Sequence, residues 1–136
     1  MKEQQLLAYS SPESAEFVAK NVLSSSKLSD KVVKVLVDDM MKGNAFAKAA
    51  WPSHAMTEDI LKHVRMIDVP VLVIAGGEDR VETEERVRKE VVGNVKGTQL
   101  IIVEGSGHLL PVEAPIEVSR LVRKFVGDIR GLSYND

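Results

Sequence analysis

The 136-residue sequence contains no cysteine. That excludes a disulfide framework, a thiol nucleophile and a cysteine-ligated zinc, and it fits a reducing compartment, so a cytoplasmic location is expected. Long apolar runs are missing too. The longest, Val69 to Ala75, includes Pro70 and falls far short of the roughly 20 residues a membrane-spanning helix needs. The N-terminus carries Glu3, Gln4 and Gln5 where a secretory signal needs an apolar stretch, so no export and no membrane association are expected. Neither sign of charge dominates: 18 basic and 20 acidic residues leave a net charge of −2, which argues against a surface built to hold nucleic-acid phosphates. Aromatic residues make up only 4%, with Trp51 the single tryptophan. What the chain does have is aliphatic material. At 44% hydrophobic residues it exceeds the range of disordered segments, and its length is that of about one domain able to bury a core.

The two halves are patterned differently. Up to about residue 65 the periodicity is helical throughout. Ser11-Pro12-Glu13 reads as a cap, a proline at the first helical position and an acid facing the helix dipole, followed by Ala15, Val18, Ala19, Val22 and Leu23 on one face. Ser24-Ser25-Ser26 breaks that helix. A second begins at Ser29-Asp30, carries Val32, Val33, Leu36, Val37, Met40 and Met41 at helical spacing, and stops at Gly43-Asn44. A short helix over Ala45 to Ala50 is ended by Pro52, and Thr57-Glu58-Asp59 can cap a last one through Ile60, Leu61 and Val64.

From residue 69 the pattern becomes strand, helix, strand, helix. Val69 to Ala75 is a continuous apolar run, as expected of a strand covered on both faces in a parallel sheet. Gly76-Gly77-Glu78-Asp79 is the turn leaving it. Glu82 to Val92 reads as a helix, Thr98 to Val103 as the second strand, and about Pro115 to Val126 as a closing helix with Val118, Leu121, Val122, Phe125 and Val126 inward. Parallel neighbouring strands bring the turn holding Asp79 and the turn Gly105-Ser106-Gly107-His108 to one sheet edge, where open α/β sheets keep their chemistry. A carboxylate beside an imidazole fixes one ring tautomer and stabilises the protonated ring, as a histidine general base requires.

These two turns, with Gly107-His108-Leu109-Leu110-Pro111-Val112-Glu113-Ala114-Pro115 and the helix ending Phe125-Val126, resemble the C-terminal part of an α/β-hydrolase. The resemblance implies an α/β fold in two segments: a helical cap-like segment over 1–65 and a C-terminal hydrolase segment with parallel strands over 66–136. It implies Asp79 as the acid and His108 as the base of a Ser-Asp-His arrangement in the chain order of that family. The family's nucleophile elbow, Gly-x-Ser-x-Gly, is missing from these residues, as is the His-Gly turn that helps form its oxyanion hole. The chain is therefore expected to belong to a serine hydrolase lineage, with no ester turnover on its own. Completed by an N-terminal half, it would take a small apolar ester-like substrate.

Other readings stand beside this one. Asp79 also suits a cap for the helix near Glu82, and both roles can hold together. Ser106 lies in the same tight turn as His108, which suits a structural role rather than a nucleophile. Trp51, Met40 and Phe46 are candidates for a substrate pocket, although residues at helical spacing also serve as plain core. His54 and His63 have no carboxylate at ligand spacing, so no metal is called for, and no cofactor. Two strands make a small sheet with an open edge, and the alternative function is a non-catalytic module that self-associates or binds a partner, with a homo-oligomer the simplest outcome.

Overall fold

The computed structural model describes residues 10–131. Helix α1 (Pro12–Val18) starts on Ser11, whose hydroxyl oxygen accepts from the Ser14 backbone N–H at 3.2 Å, and runs on as a wider π-helical turn, Ala19–Leu23. Helix α2 (Asp30–Lys42) is capped in the same way by Ser29. The pair packs through small residues: Ala15 and Ala19, one turn apart and fully buried, lie on the α1 side, and the buried Val33 on the α2 side. Val22, expected on the inward face, is instead 39% exposed. The helix widens at Ala19, and wider turns rotate later residues off the original stripe.

Helix α3 (Ala45–Ser53) hangs from Asn44, whose side-chain oxygen accepts from Phe46 N–H (2.9 Å) and Ala47 N–H (3.1 Å). It runs past Pro52 rather than ending before it. A proline in the last turn deletes one backbone bond only, and the Ser53 hydroxyl and His54 N–H supply the Ala49 and Ala50 carbonyls beyond it. A single 3₁₀ turn (Ala55–Thr57) leads to α4 (Leu61–Val64), where Asp59 accepts from Leu61 N–H at 2.9 Å.

Strands β1 (Leu72–Gly76) and β2 (Gln99–Val103) pair in parallel, Leu72 opposite Gln99 and Gly76 opposite Val103. The α/β class and the parallel order are as expected, but β1 is shorter than the apolar run that announced it. Val69 is 63% exposed, and Pro70 has no N–H for a ladder. Burial on both faces is not met either: Leu72, Val73 and Ile74 are only half-buried, and the strand is buried at Ala75 and Gly76 alone.

Between the strands lie α5 (Glu84–Val87), capped by Thr83, and a π-helical turn, Arg88–Val92. After β2 come the single-turn α6 (Leu110–Glu113) and the long α7 (Pro115–Arg130). Helix α7 outruns its expected end at Val126 because nothing breaks it before Gly131, which takes the left-handed conformation (φ 65°) that terminates helices. Leu121 is its buried anchor, and α7 and α5 both pack on β1. Val122, expected inward, is 45% exposed: α7 covers a narrow sheet, so only a thin stripe of its surface is buried.

Candidate active site

The sheet ends at two turns that touch. Gly77 N–H donates to the Val103 carbonyl (2.9 Å) and Glu78 N–H to the Ser106 carbonyl (3.0 Å), so the chain leaving β1 is stitched to the chain leaving β2. Gly76 is obligatory here. A Cβ on it would lie 2.9 Å from the Ser106 carbonyl carbon and closer still to the Ser106 and Gly107 oxygens, none of which can move independently of the backbone.

This seam sets Asp79 against His108. One carboxylate oxygen of Asp79, Oδ1, accepts from Val81 N–H (2.8 Å) and Glu82 N–H (2.9 Å), which makes it the cap of the following turn. The other, Oδ2, lies 3.0 Å from His108 Nδ1. The capping reading of Asp79 therefore holds on Oδ1, while Oδ2 is left to face the His108 ring. The Asp79 side chain is 8% exposed and that of His108 36%. An ionised carboxylate only accepts hydrogen bonds, so the neutral ring carries its proton on Nδ1, leaving Nε2 as the basic nitrogen. Fixed tautomer, buried acid and accessible ring are the requirements of a general base.

A second carboxylate, Glu113, stands behind the histidine turn. Its Oε1 accepts from Gly107 N–H (3.0 Å), while Oε2 accepts from the backbone N–H groups of Ser25 and Ser26 (2.9 Å each) and faces both hydroxyls, Ser25 Oγ at 3.1 Å and Ser26 Oγ at 3.0 Å. Burial works against its charge, yet the hydrogen bonds from Ser26, Ser25 and Gly107 outweigh that and hold the carboxyl below its ordinary value. Leu109 N–H donates to the Leu23 carbonyl (3.1 Å), and Ser25 Oγ also reaches the Gly105 carbonyl (2.9 Å). Gly107 is confined by this seam, since a Cβ there would sit 2.9 Å from Ser25 N and 3.0 Å from Leu23 O. Ser25 and Ser26 thus spend their hydroxyls on Glu113 and Gly105. Ser106 is buried and contributes its carbonyl to the seam.

In the sequence Glu113 is one residue of the Gly-His motif and the serine run a helix breaker, with no local sign that they meet. The available signal was an acid five residues after a Gly-His turn together with a cluster of hydroxyls needing an acceptor; nothing local joins them.

The pocket candidates are placed elsewhere. Phe46 (81% exposed) and Trp51 (55%) stand out from α3, and Met40 is part-buried on α2. At such exposure the two aromatic rings wall no enclosed pocket among the described residues. A mainly apolar hollow of about 420 Å³ lies instead between α2 and α6, lined by Lys31, Val32, Val35, Leu36 and Val112, the last four residues past His108. Among the described residues no group of three or more His, Cys, Asp or Glu side chains could hold a metal ion, and no helix is long and apolar enough to cross a membrane.

Comparison with known proteins bears on the fold. The chain superimposes on an esterase from Exiguobacterium antarcticum (TM-score 0.80, 14% identity, 92% of this chain and 47% of that one). It does so on a bromoperoxidase from Bacillus anthracis (0.78, 13%, 90% and 46%) and on carboxylesterase CesB from Bacillus subtilis (0.72, 20%, 91% and 44%). It therefore spans less than half the length of each of these structures. No curated protein matches the sequence. The family described as serine aminopeptidase, S33, matches residues 4–115, and on that match, over a partial α/β-hydrolase fold, the chain belongs to this family.

Proposed function

We propose that this chain supplies the acid and the base of a serine hydrolase acting on small apolar esters, with the nucleophile and oxyanion hole contributed by polypeptide outside these residues. The observation that carries the reading is the 3.0 Å contact of Asp79 Oδ2 with His108 Nδ1 at the edge where the two parallel strands end. Solved structures named as esterases superimpose on nine-tenths of the chain and extend to about twice its length, which leaves room for the missing parts. Residues 1–65 would act as the cap-like segment and 66–136 as the catalytic one, in the cytoplasm.

In the proposed reaction His108 Nε2 takes the proton of the serine hydroxyl as the serine oxygen bonds to the ester carbonyl carbon. Asp79 stabilises the imidazolium that results. The same proton then passes to the departing alkoxide as the C–O bond breaks, leaving an acyl-enzyme, and water repeats the sequence.

Alone, the chain should turn over no ester, since its sequence carries no Gly-x-Ser-x-Gly elbow. Mixing it with an N-terminal α/β-hydrolase half bearing Gly-x-Ser-x-Gly should yield hydrolysis of short-chain p-nitrophenyl esters above either part alone. Soluble, folded mixtures without that gain would refute the split arrangement.

A second reading rests on the sheet, which among the described residues has β1 paired on one side only. An open edge beside exposed Val69 and Met66 suits self-pairing or a partner strand. Sedimentation at micromolar concentration distinguishes it: a dimer is expected, and a strict monomer contradicts it.

A further inference from the structure

We propose that Glu113 is a positioning residue for His108, a clasp that fixes the histidine turn to the serine segment 24–26 and so holds the ring against Asp79. The inference rests on the reading of His108 as base. It concerns a residue that touches neither substrate nor reacting atoms and acts through the backbone of its neighbours.

His108 is flanked by Gly107, whose N–H is bound by Glu113 Oε1, and by Leu109, whose N–H is bound by the Leu23 carbonyl. The peptide group after His108 and the one before Gly107 are thus tied, the first by the end of the first helical segment and the second by a carboxylate. The other end of the clasp is set by Ser25 and Ser26, each offering a backbone N–H and a hydroxyl to Oε2. A single acceptor-only group serves donors from two stretches of chain, one of them 88 residues before it, which no hydroxyl or amide can do without presenting a hydrogen of its own to a donor. Asp79 is fixed independently by Val81 and Glu82, so the 3.0 Å contact depends on two anchors, one for the acid and one for the base.

Glu113→Gln tests this. Its amide can keep one end of the clasp but must turn an N–H toward donors at the other. The measurement is solvent exchange of the His108 Nδ1 proton by NMR in the chain as it stands, with circular dichroism and the thermal midpoint recorded alongside. The expected result is helical content retained and that proton exchanging at least about tenfold faster, the factor that matches loss of one charge-assisted hydrogen bond. A purely structural Glu113 would lower the midpoint and leave the proton's exchange unchanged, which would overturn the proposal. If Glu113→Gln does not fold, the pair Ser25→Ala with Ser26→Ala removes the two hydroxyls while sparing the backbone donors. A smaller acceleration there supports the clasp, and unchanged exchange refutes it. Because no nucleophile is involved, failure here is separate from failure of ester hydrolysis in the completed enzyme.

Discussion

Residues 10–42 and residues 45–67 are both helical, yet they relate to the strand unit in different ways. The first stretch buries Ala15, Ala19, Ser24 and Val33, and its serines and the Leu23 carbonyl hold the histidine turn. The second buries only Pro52, leaves Phe46, Trp51, Ile60 and Met66 more than half exposed, and reaches the strand unit through an exposed hydrogen bond from Arg65 Nε to Asn94 Oδ1. The difference lies in partners rather than in propensity. Both stretches have capped helices, but a helix gains most of its stability from the face it buries. The sheet edge is therefore supported from 10–42 far more than from 45–67.

That contrast can be broken or sharpened by substitution. The largest effect is expected at the seam itself: Gly76→Ala forces a methyl into two carbonyl groups and should cost more than about 3 kcal/mol, read from urea denaturation. Truncating the buried anchor of α7, Leu121→Ala, should cost about 2–3 kcal/mol, whereas Phe46→Ala on the outlying helix should stay within about 0.5 kcal/mol. Equal losses at Leu121 and Phe46 would erase the distinction drawn between the regions. Asn44→Ala removes the cap of α3 and should cost about 1 kcal/mol or less, confined to signals from Trp51. Acidification comes last. The Glu113 carboxyl is held below its ordinary value of 4.5, so its contribution is complete above that pH and is lost as pH falls through the lower folded value. The urea midpoint of the wild type should therefore drop more steeply below about pH 4.5 than that of Glu113→Gln; parallel curves would contradict the clasp.

The pair at the sheet edge was legible because each member sits in a local pattern, an apolar run ending in Gly76 and a Gly-His turn, and because parallel strands place successive turns side by side. The meeting of the two turns followed from that alone. The Glu113 clasp was not legible, since its donors are distant in sequence and serines are ordinary helix breakers. Helix ends depart from the sequence pattern where a single residue does not decide them, as with Pro52, whose lost bond falls in a last turn that tolerates it. Val22 and Val122 were read inward from a regular period; a π-helical turn displaced the first, and a two-stranded sheet too narrow to cover a full helical face exposed the second.

The most direct measurement is the ring tautomer of His108, read from its two ¹⁵N shifts in the wild type and in Asp79→Asn. Because Val81 and Glu82 N–H groups demand an oxygen at the Oδ1 position, the asparagine must turn its NH₂ toward His108 Nδ1. The account predicts the neutral ring protonated on Nδ1 in the wild type and on Nε2 in the variant. The same tautomer in both proteins would contradict it.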